Sequence, residues 1–427
     1  MPRAIVRFVR RQIDEIQGDP VLRYYGVALA FLHVVTFLWW IDQRVIAVLH
    51  SGAEAICWPI FQECHRLRVL SPAGLGALLL VYLGWAVAAG GLFLSGRWVP
   101  WAYAGLLGLN LLKFAIMLLD FRLRMNQHYM AFAVSAVFFF VPGKRDAIRV
   151  LVTLFYFWAG TLKLNWEWIS GAGLYRPLWL FTGVGVIVAC LYVIVLELVV
   201  SWGLLARRGS IFWAALGQVL NFHVFSWPVV GFFYPLLMFA LLSIFPMCRG
   251  PMWRGRWPMW RRLEQGAGRE ASPGTGLLVA LWTGRARWGT YATAVAFSLL
   301  QLMPHAFPGD HAITGEGRLY ALHMFDARTV CVGYATLRGP DGTTTYRDLK
   351  LGLDTRIACD PVVFYNRARN LCRQRDATAA AFRDLDLFLW ARRATDPELR
   401  RVIAIERFCA QEIRYDPLWH NAWILTE

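Results

Sequence analysis

AGLGALLLVYLGWAVAAGGLFLS, residues 73–95, carries no charged side chain. As a helix it is long enough to cross the roughly 30 Å hydrocarbon core of a bilayer. Similar runs lie on both sides of it. Working outward, candidate spans fall at 25–48, 73–95, 99–119, 128–142, 147–166, 178–205, 211–227, 229–246 and 288–307. The fourth is short, and the seventh and eighth meet near Pro228, where a re-entrant hairpin would serve as well as two crossings. The expected architecture is an all-α polytopic membrane protein of about eight or nine transmembrane helices. Composition agrees, since 57% of the 427 residues are hydrophobic and 17% are charged, too apolar for a soluble domain of this size. The first run exceeds a signal-peptide core and has no evident cleavage site, so it reads as a retained span.

Basic residues sort by side. Arg3, Arg7, Arg10, Arg11 and Arg23 precede the first span or open it, and Arg97, Lys144, Arg145, Arg149, Arg207 and Arg208 fall in alternate loops. With those between Arg249 and Arg287 they make 19 on one side, against five (Arg66, Arg68, Arg122, Arg124 and Arg176) in the short loops of the other. The positive-inside rule then makes residues 1–24 a cytoplasmic arm, and an odd number of spans carries the C-terminal region outside. The 17 basic residues of that region do not oppose this, because long domains translocate largely regardless of charge. The net charge of +16 is thereby a membrane signal, and no nucleic-acid partner is expected. The tract CRGPMWRGRWPMWRR (Cys248–Arg262) reads as a cytoplasmic loop resting on anionic headgroups of the membrane lipids.

Cys57, Cys64, Cys331, Cys359, Cys372 and Cys409 all fall on the outer side, where disulfides can form, whereas Cys190 and Cys248 do not. Spacing leaves the pairing open, with a bridge between the first outer loop and the tail among the possibilities. Residues 25–310 form the transmembrane domain, and 311–427 have the composition of a small α+β module packed on the outer face. Strand-like alternation appears in RLYALHMF (Arg318–Phe325) and TVCVGYATL (Thr329–Leu337), with the turn Pro340–Asp341–Gly342 before TTTYRDLKL. Helices are expected over Pro361–Arg375 and Asp396–Glu412. The chain has no G-x-G-x-x-G, P-loop, HExxH or paired CxxC motif.

Ionisable groups within spans are expensive and usually face the bundle interior or a cavity. Four stand out: His128, Lys163, Glu197 and His223. A helical rise of about 1.5 Å per residue puts Lys163, His128 and His223 at one level in the outer half, and Glu197 nearer the inner half, so Lys163 and Glu197 are not expected to pair. Tyr156, Gly160, Lys163 and Glu167 fall at spacings that share one helical face. Gly160 would admit a helix or ligand closely. Lys163 has two readings: its stem can carry the ammonium to the outer headgroups, or it is a desolvated amine able to act as a base. The histidines and Glu197 read equally as polar packing between helices. No H-x-x-x-H or acidic partner at ligand spacing supports a metal, and none is predicted. Lys113 is a further intramembrane cation without a readable motif.

At these residues the chain resembles the vitamin K-dependent γ-glutamyl carboxylases and their bacterial relatives with a horizontally transferred transmembrane (HTTM) domain. The resemblance is carried by YFWAGTLKLNWEWISG (Tyr156–Gly171), MNQHYM (Met125–Met130), LELVVSWGLL (Leu196–Leu205) and NFHVFSWPVVGFFYPLLMF (Asn221–Phe239), and continues through PDGTTTYRDL and RYDPLWHNAW in the tail. It implies a lyase of the bacterial inner membrane that couples O2-dependent epoxidation of reduced vitamin K, or a related lipid-soluble quinol, to proton abstraction and CO2 addition on a glutamate-type substrate in an exported peptide or protein. It also implies roles. Lys163 would deprotonate the quinol, with His128 and His223 as further catalytic groups. Gln127, Tyr156, Gly160 and Asn221 would line the substrate or quinone, and Glu197 would support them. Leu162 stands where the animal carboxylases have a second lysine, and this chain lacks their later region for propeptide and glutamate-rich substrate handling. The alternative is a non-enzymatic membrane protein that binds or matures an exported peptide. A transporter fits less well, since no inverted repeat or pair of interrupted helices is visible.

Overall fold

The computed structural model describes residues 3–50, 55–249, 277–284, 286–323, 327–351, 356–377 and 382–426. Most of the tract Cys248–Arg262, and the rest of the basic loop as far as residue 276, lie outside these. An amphipathic helix α1 (Arg3–Gly18) leads into α2 (Pro20–Asp42), which starts where Asp19 Oδ1 accepts from the Val21 N–H at 2.8 Å and Pro20 presets the first turn. A short α3 (Val45–His50) follows. Ser71 caps α4 (Pro72–Ser95) in the same way, and Gly96 ends it in the left-handed conformation, φ 67°. Next come α5 (Val99–Leu118), α6 (Asn126–Phe140), α7 (Lys144–Leu162), a single turn α8 (Trp166–Ile169) and α9 (Val184–Leu198), the last tightening into a 3-10 turn at Val200–Leu205. The remaining helices of this part are α10 (Gly209–Val230), α11 (Phe233–Leu242) and α12 (Ile244–Arg249), and further on Leu277–Trp282 and Trp288–Leu302.

Among the described residues, four helical segments are long and apolar enough to cross a membrane: Pro20–Asp42, Pro72–Ser95, Val99–Leu118 and Val184–Leu205. Their outward faces are as apolar as their buried ones. Val81 and Val87 on α4, Leu111 on α5 and Val188 on α9 are all more than half exposed, which suits lipid and not water. The core is close-packed, and α2 meets α4 so tightly at Gly26 that a Cβ there would lie 2.7 Å from the Phe93 ring.

The chain after residue 310 closes on a four-stranded antiparallel sheet of order β2-β1-β3-β4, with β1 Thr329–Arg338, β2 Thr344–Asp348, β3 Asp384–Arg393 and β4 Arg400–Ile405. The turn expected at Pro340–Gly342 joins β1 to β2, with Gly342 at φ 82°. One face of β1 and β3 (Cys331, Ala335, Leu385, Leu387, Leu389) packs with Val363 and Phe364 of the helix Pro361–Ala377. Gly333 leaves the space that the Phe364 ring fills.

Three expectations for the tail are corrected. Arg318–His323 is not a strand, because side chains of the helical part take its backbone groups: Gln301 Oε1 accepts from Leu322 N–H at 3.0 Å, and Asn126 donates to the His323 carbonyl at 2.5 Å and accepts from its N–H. Met324 and Phe325 lie outside the described residues. Asp396–Glu412 is not a helix, since β4 pairs with β3 there, from Leu387 opposite Ile405 to Ala391 opposite Arg400. No bridge joins the loop holding Cys57 and Cys64 to the tail. The disulfides are Cys57–Cys64 within the loop, and Cys331–Cys359 and Cys372–Cys409 within the tail, while Cys190 and Cys248 are free. The loop and tail are instead held by the Asn366 side chain, which exchanges two 3.1 Å hydrogen bonds with the Cys57 backbone, and by Arg369 on Glu63 at 2.7 Å.

Candidate functional site

Helix α7 stops at Leu162 because Asn165 serves both sides of the break. Its Nδ2 donates to the Leu162 carbonyl at 2.7 Å, and its Oδ1 accepts from the Trp168 N–H at 2.9 Å and caps α8. Lys163 is thereby the cap residue of α7. Its side chain, 1% exposed, turns back along the helix to donate to the Ala159 carbonyl at 3.2 Å and to Glu197 Oε2 at 2.6 Å. The Trp168 ring centroid lies 5.0 Å from the ammonium.

The Lys163–Glu197 pair overturns the expectation that the two are separated in depth. Phe157 lies against Trp202, Gly160 against Leu198 and Lys163 on Glu197, so α7 and α9 run antiparallel. Helix α9 then continues about 20 Å beyond Glu197 to Val184. The end of α7 is therefore a break beside the C-terminal end of α9, and not level with that neighbour's start. Because helical side chains lean toward the N-terminus, those of antiparallel helices lean toward each other, which closes the remaining gap. The span drawn from residue 178 also began too early. Residues 171–183 are not helical, with Gly171 and Gly183 at φ 79° and 54° and Pro177 between them.

Gly160 makes the pairing possible. A Cβ there would lie 2.9 Å from Leu198 and 3.0 Å from the Glu197 Cβ. Glu167 does not share the face of Tyr156, Gly160 and Lys163, because the break rotates α8 away. It is buried and accepts backbone N–H groups from Arg328 at 2.9 Å and Ala394 at 3.0 Å, tying α8 to the ends of β1 and β3.

Lys163 and Glu197 open onto a cavity of about 460 Å³ between α8, α9, α10, the start of α11 and residues 174–181. Its walls are mainly apolar and aromatic, including Trp168, Trp179, Phe181, Phe222 and Phe225, with Asn221, Ser226 and the Tyr192 and Tyr234 rings as the other polar contributors. Among the candidate residues, Lys163, Glu197 and Asn221 line this cavity. His128, His223, Gln127, Tyr156 and Gly160 do not.

No family model, curated protein or solved structure matches this chain. The site is therefore defined by its own geometry. His223 sits one layer behind the wall, its Nε2 2.6 Å from the Tyr156 hydroxyl and its ring 5.2 Å from that of Tyr234. His128 is fully buried between Trp39 and Phe233, with ring centroids 5.0 and 5.1 Å away, and neither of its ring nitrogens has a hydrogen-bond partner among the described residues. Phe233 and Tyr234 are consecutive on α11, so one turn of that helix touches both histidines. Gln127 is buried beside His128 at the start of α6.

Sequence reasoning missed Tyr234, Ser226 and the wall at 174–181. Pro177, just before the span read from residue 178, and Gly183 within it were the available signal. It also missed His33 of α2, whose ring nitrogens lie 2.5 Å from the Tyr82 hydroxyl and 3.2 Å from Asn110 Nδ2, a buried polar chain joining α2, α4 and α5. Lys113 is buried with its ammonium 5.0 Å from the Phe132 centroid. Among the described residues no group of three or more His, Cys, Asp or Glu is placed to hold a metal.

Proposed function

We propose that the chain is an integral membrane enzyme of the γ-glutamyl carboxylase type, in which Lys163 is the base that deprotonates a lipid-soluble quinol. The observation that carries this reading is the buried Lys163–Glu197 pair opening onto an apolar, aromatic-walled cavity. Its volume falls in the range of about 300–1,000 Å³ typical of small-molecule sites, and a planar apolar headgroup with a phenolic edge suits its walls. A bound quinol, on reaction with O2, supplies a strong oxygen base for taking the γ-proton of a glutamate-type substrate before CO2 addition.

The residues have simpler tasks. Nζ and Oε2 are 2.6 Å apart in an apolar wall, so Glu197 holds the Lys163 amine at the cavity and is the group to which a proton taken up there can pass. The Trp168 face stabilises the cation formed. Asn221 and Ser226 orient an oxygen at the opposite wall, and His223 acts through Tyr234 from behind it. His128, with two unpartnered ring nitrogens, is kept for the carboxyl-forming step.

The nine apolar runs, each falling largely on helical residues, make nine crossings in this reading, with residues 1–24 cytoplasmic and 311–427 outside a bacterial inner membrane. The test is quinol epoxidation by purified protein in lipid nanodiscs. Lys163→Ala is expected to abolish the epoxide while folded protein still accumulates in membranes. Full activity in that variant would sink the proposal.

A second reading, a non-enzymatic binder of an exported peptide, is favoured by the outer face of the sheet. Tyr334 and Phe388 both stack on Trp390 there, with the three ring centroids 5.6–5.7 Å apart, beside the fully exposed edge strand β2. It predicts no quinol turnover, and a peptide crosslinked at Tyr346.

A further inference from the structure

Helix α1 has an apolar stripe that is covered at one end and bare at the other. Ile5, Phe8, Val9, Gln12, Ile13 and Ile16 recur at the spacings of one helical face. At the C-terminal end that face belongs to the bundle: Ile16 is fully buried, Gln12 is 3% exposed, and Val9 and Ile13 pack against the core. Two contacts pin it. Gln12 accepts from the Lys144 ammonium, and Glu15 Oε1 accepts from the N–H groups of Gly143 and Lys144 at 2.9 and 3.0 Å, so α1 caps the start of α7. In the first two turns the same face is uncovered, with Ile5 48% and Phe8 41% exposed.

The opposite face carries Arg3, Arg7, Arg10 and Arg11, four exposed cations for which no ion pair forms among the described residues. An apolar stripe backed by arginines is the pattern of a helix lying in the plane of a bilayer interface, with its stripe in the acyl boundary and its cations at the phosphates. Connectivity fixes the level. Only Asp19 separates the last residue of α1 from α2, one of the helices able to cross the membrane, so the first two turns of α1 lie within reach of the headgroup layer.

We infer that α1 is an interfacial helix whose N-terminal half docks on the anionic headgroup surface of the bilayer, with Ile5 and Phe8 inserted and Arg3, Arg7, Arg10 and Arg11 on lipid phosphates. The occupant is a membrane surface rich in anionic lipid, and the contact is independent of any reaction at Lys163.

The test uses the full chain in nanodiscs of phosphatidylcholine with or without phosphatidylglycerol. Cys190 and Cys248 are replaced by serine, the disulfides are left intact, and one nitroxide is placed on Ile5→Cys, Phe8→Cys, Arg7→Cys or Asp14→Cys. With anionic lipid, collision with oxygen relative to a water-soluble nickel chelate is expected to be severalfold higher at positions 5 and 8 than at 7 and 14. That contrast should shrink on replacing the anionic lipid, or when Arg3, Arg10 and Arg11 become glutamine. Equal accessibility at all four positions would overturn the inference. So would positions 5 and 8 shielded from both reagents, which would mean a protein cover, or a contrast indifferent to lipid charge.

Discussion

Removing either charge of the Lys163–Glu197 pair strands the other in an apolar wall. Breaking one partner of a buried pair costs on the order of 3–5 kcal/mol, whereas replacing both by apolar groups of similar shape is often close to neutral. Lys163→Met and Glu197→Leu are therefore each expected to lower the melting temperature in detergent markedly, and the double variant to recover most of the loss. A double-mutant cycle gives the coupling, and purely additive losses would mean that the side chains do not meet. A second residue-level outcome concerns Tyr156. It is the hydrogen-bond partner of His223 Nε2, while Nδ1 has none among the described residues, so Tyr156→Phe leaves a fully buried imidazole with no partner. A loss of about 1–3 kcal/mol is expected. Phe222→Leu, on a neighbouring ring that makes no hydrogen bond to it, should cost less.

At the scale of elements, the meeting of α7 and α9 depends on the bare Cα of Gly160. Gly160→Ala puts a methyl 2.9 Å from the Leu198 side chain and 3.0 Å from the Glu197 Cβ, so Leu198 must move aside and Glu197 give way. Overpacking of this kind costs about 1–3 kcal/mol, and the variant is expected to lose quinol affinity before it loses folding. Ligand binding measured beside thermal unfolding separates the two, and unchanged binding would show that the wall tolerates the shift. This junction also marks where the sequence stops being legible. The positions of the apolar helices follow from their runs, because chain length and bilayer thickness leave few choices. The break after Leu162 does not, because it is made by one asparagine serving two helix ends. Depth counted by rise per residue assumed that each span began at a membrane surface, and so it separated two residues that touch. In the tail, β1 was visible from its alternation. DLDLFLWARR (Asp384–Arg393) alternates as clearly, whereas β4, whose charged opening resembles an exposed helix, is a strand only because β3 lies beside it.

For the whole molecule, two of the contacts that fasten the C-terminal module to the rest of the chain are carboxylates whose partners are arginines. Asp310 meets Arg393 at 2.6 Å, and Glu63 meets Arg369 at 2.7 Å with Arg373 at 3.4 Å. Burial works to raise the pKa of Asp310, but the hydrogen bond and charge of Arg393, with the Ala312 N–H, outweigh it and hold the group below its usual 3.8. For Glu63 burial likewise raises and Arg369, Arg373 and His65 lower, with a net fall from 4.5. The sign follows from linkage: a carboxylate with a depressed folded-state pKa adds stability that is fully present above its unfolded value and is lost as pH falls through the folded one. Both fastenings should therefore hold at neutral pH and at pH 5, and weaken together below about pH 4. The disulfides set what happens next. Each closes within the loop before α4 or within the tail, so none keeps the two parts together once the carboxylates are protonated. Acid is accordingly expected to loosen the seam between the C-terminal module and the helical part while each stays folded. Amide exchange should rise at Arg328 and Ala394, the N–H groups held by Glu167, and at Cys57, held by Asn366, while the β1–β3 ladder stays protected. Simultaneous loss of ladder protection would show instead that the module has no stability apart from the helices beneath it.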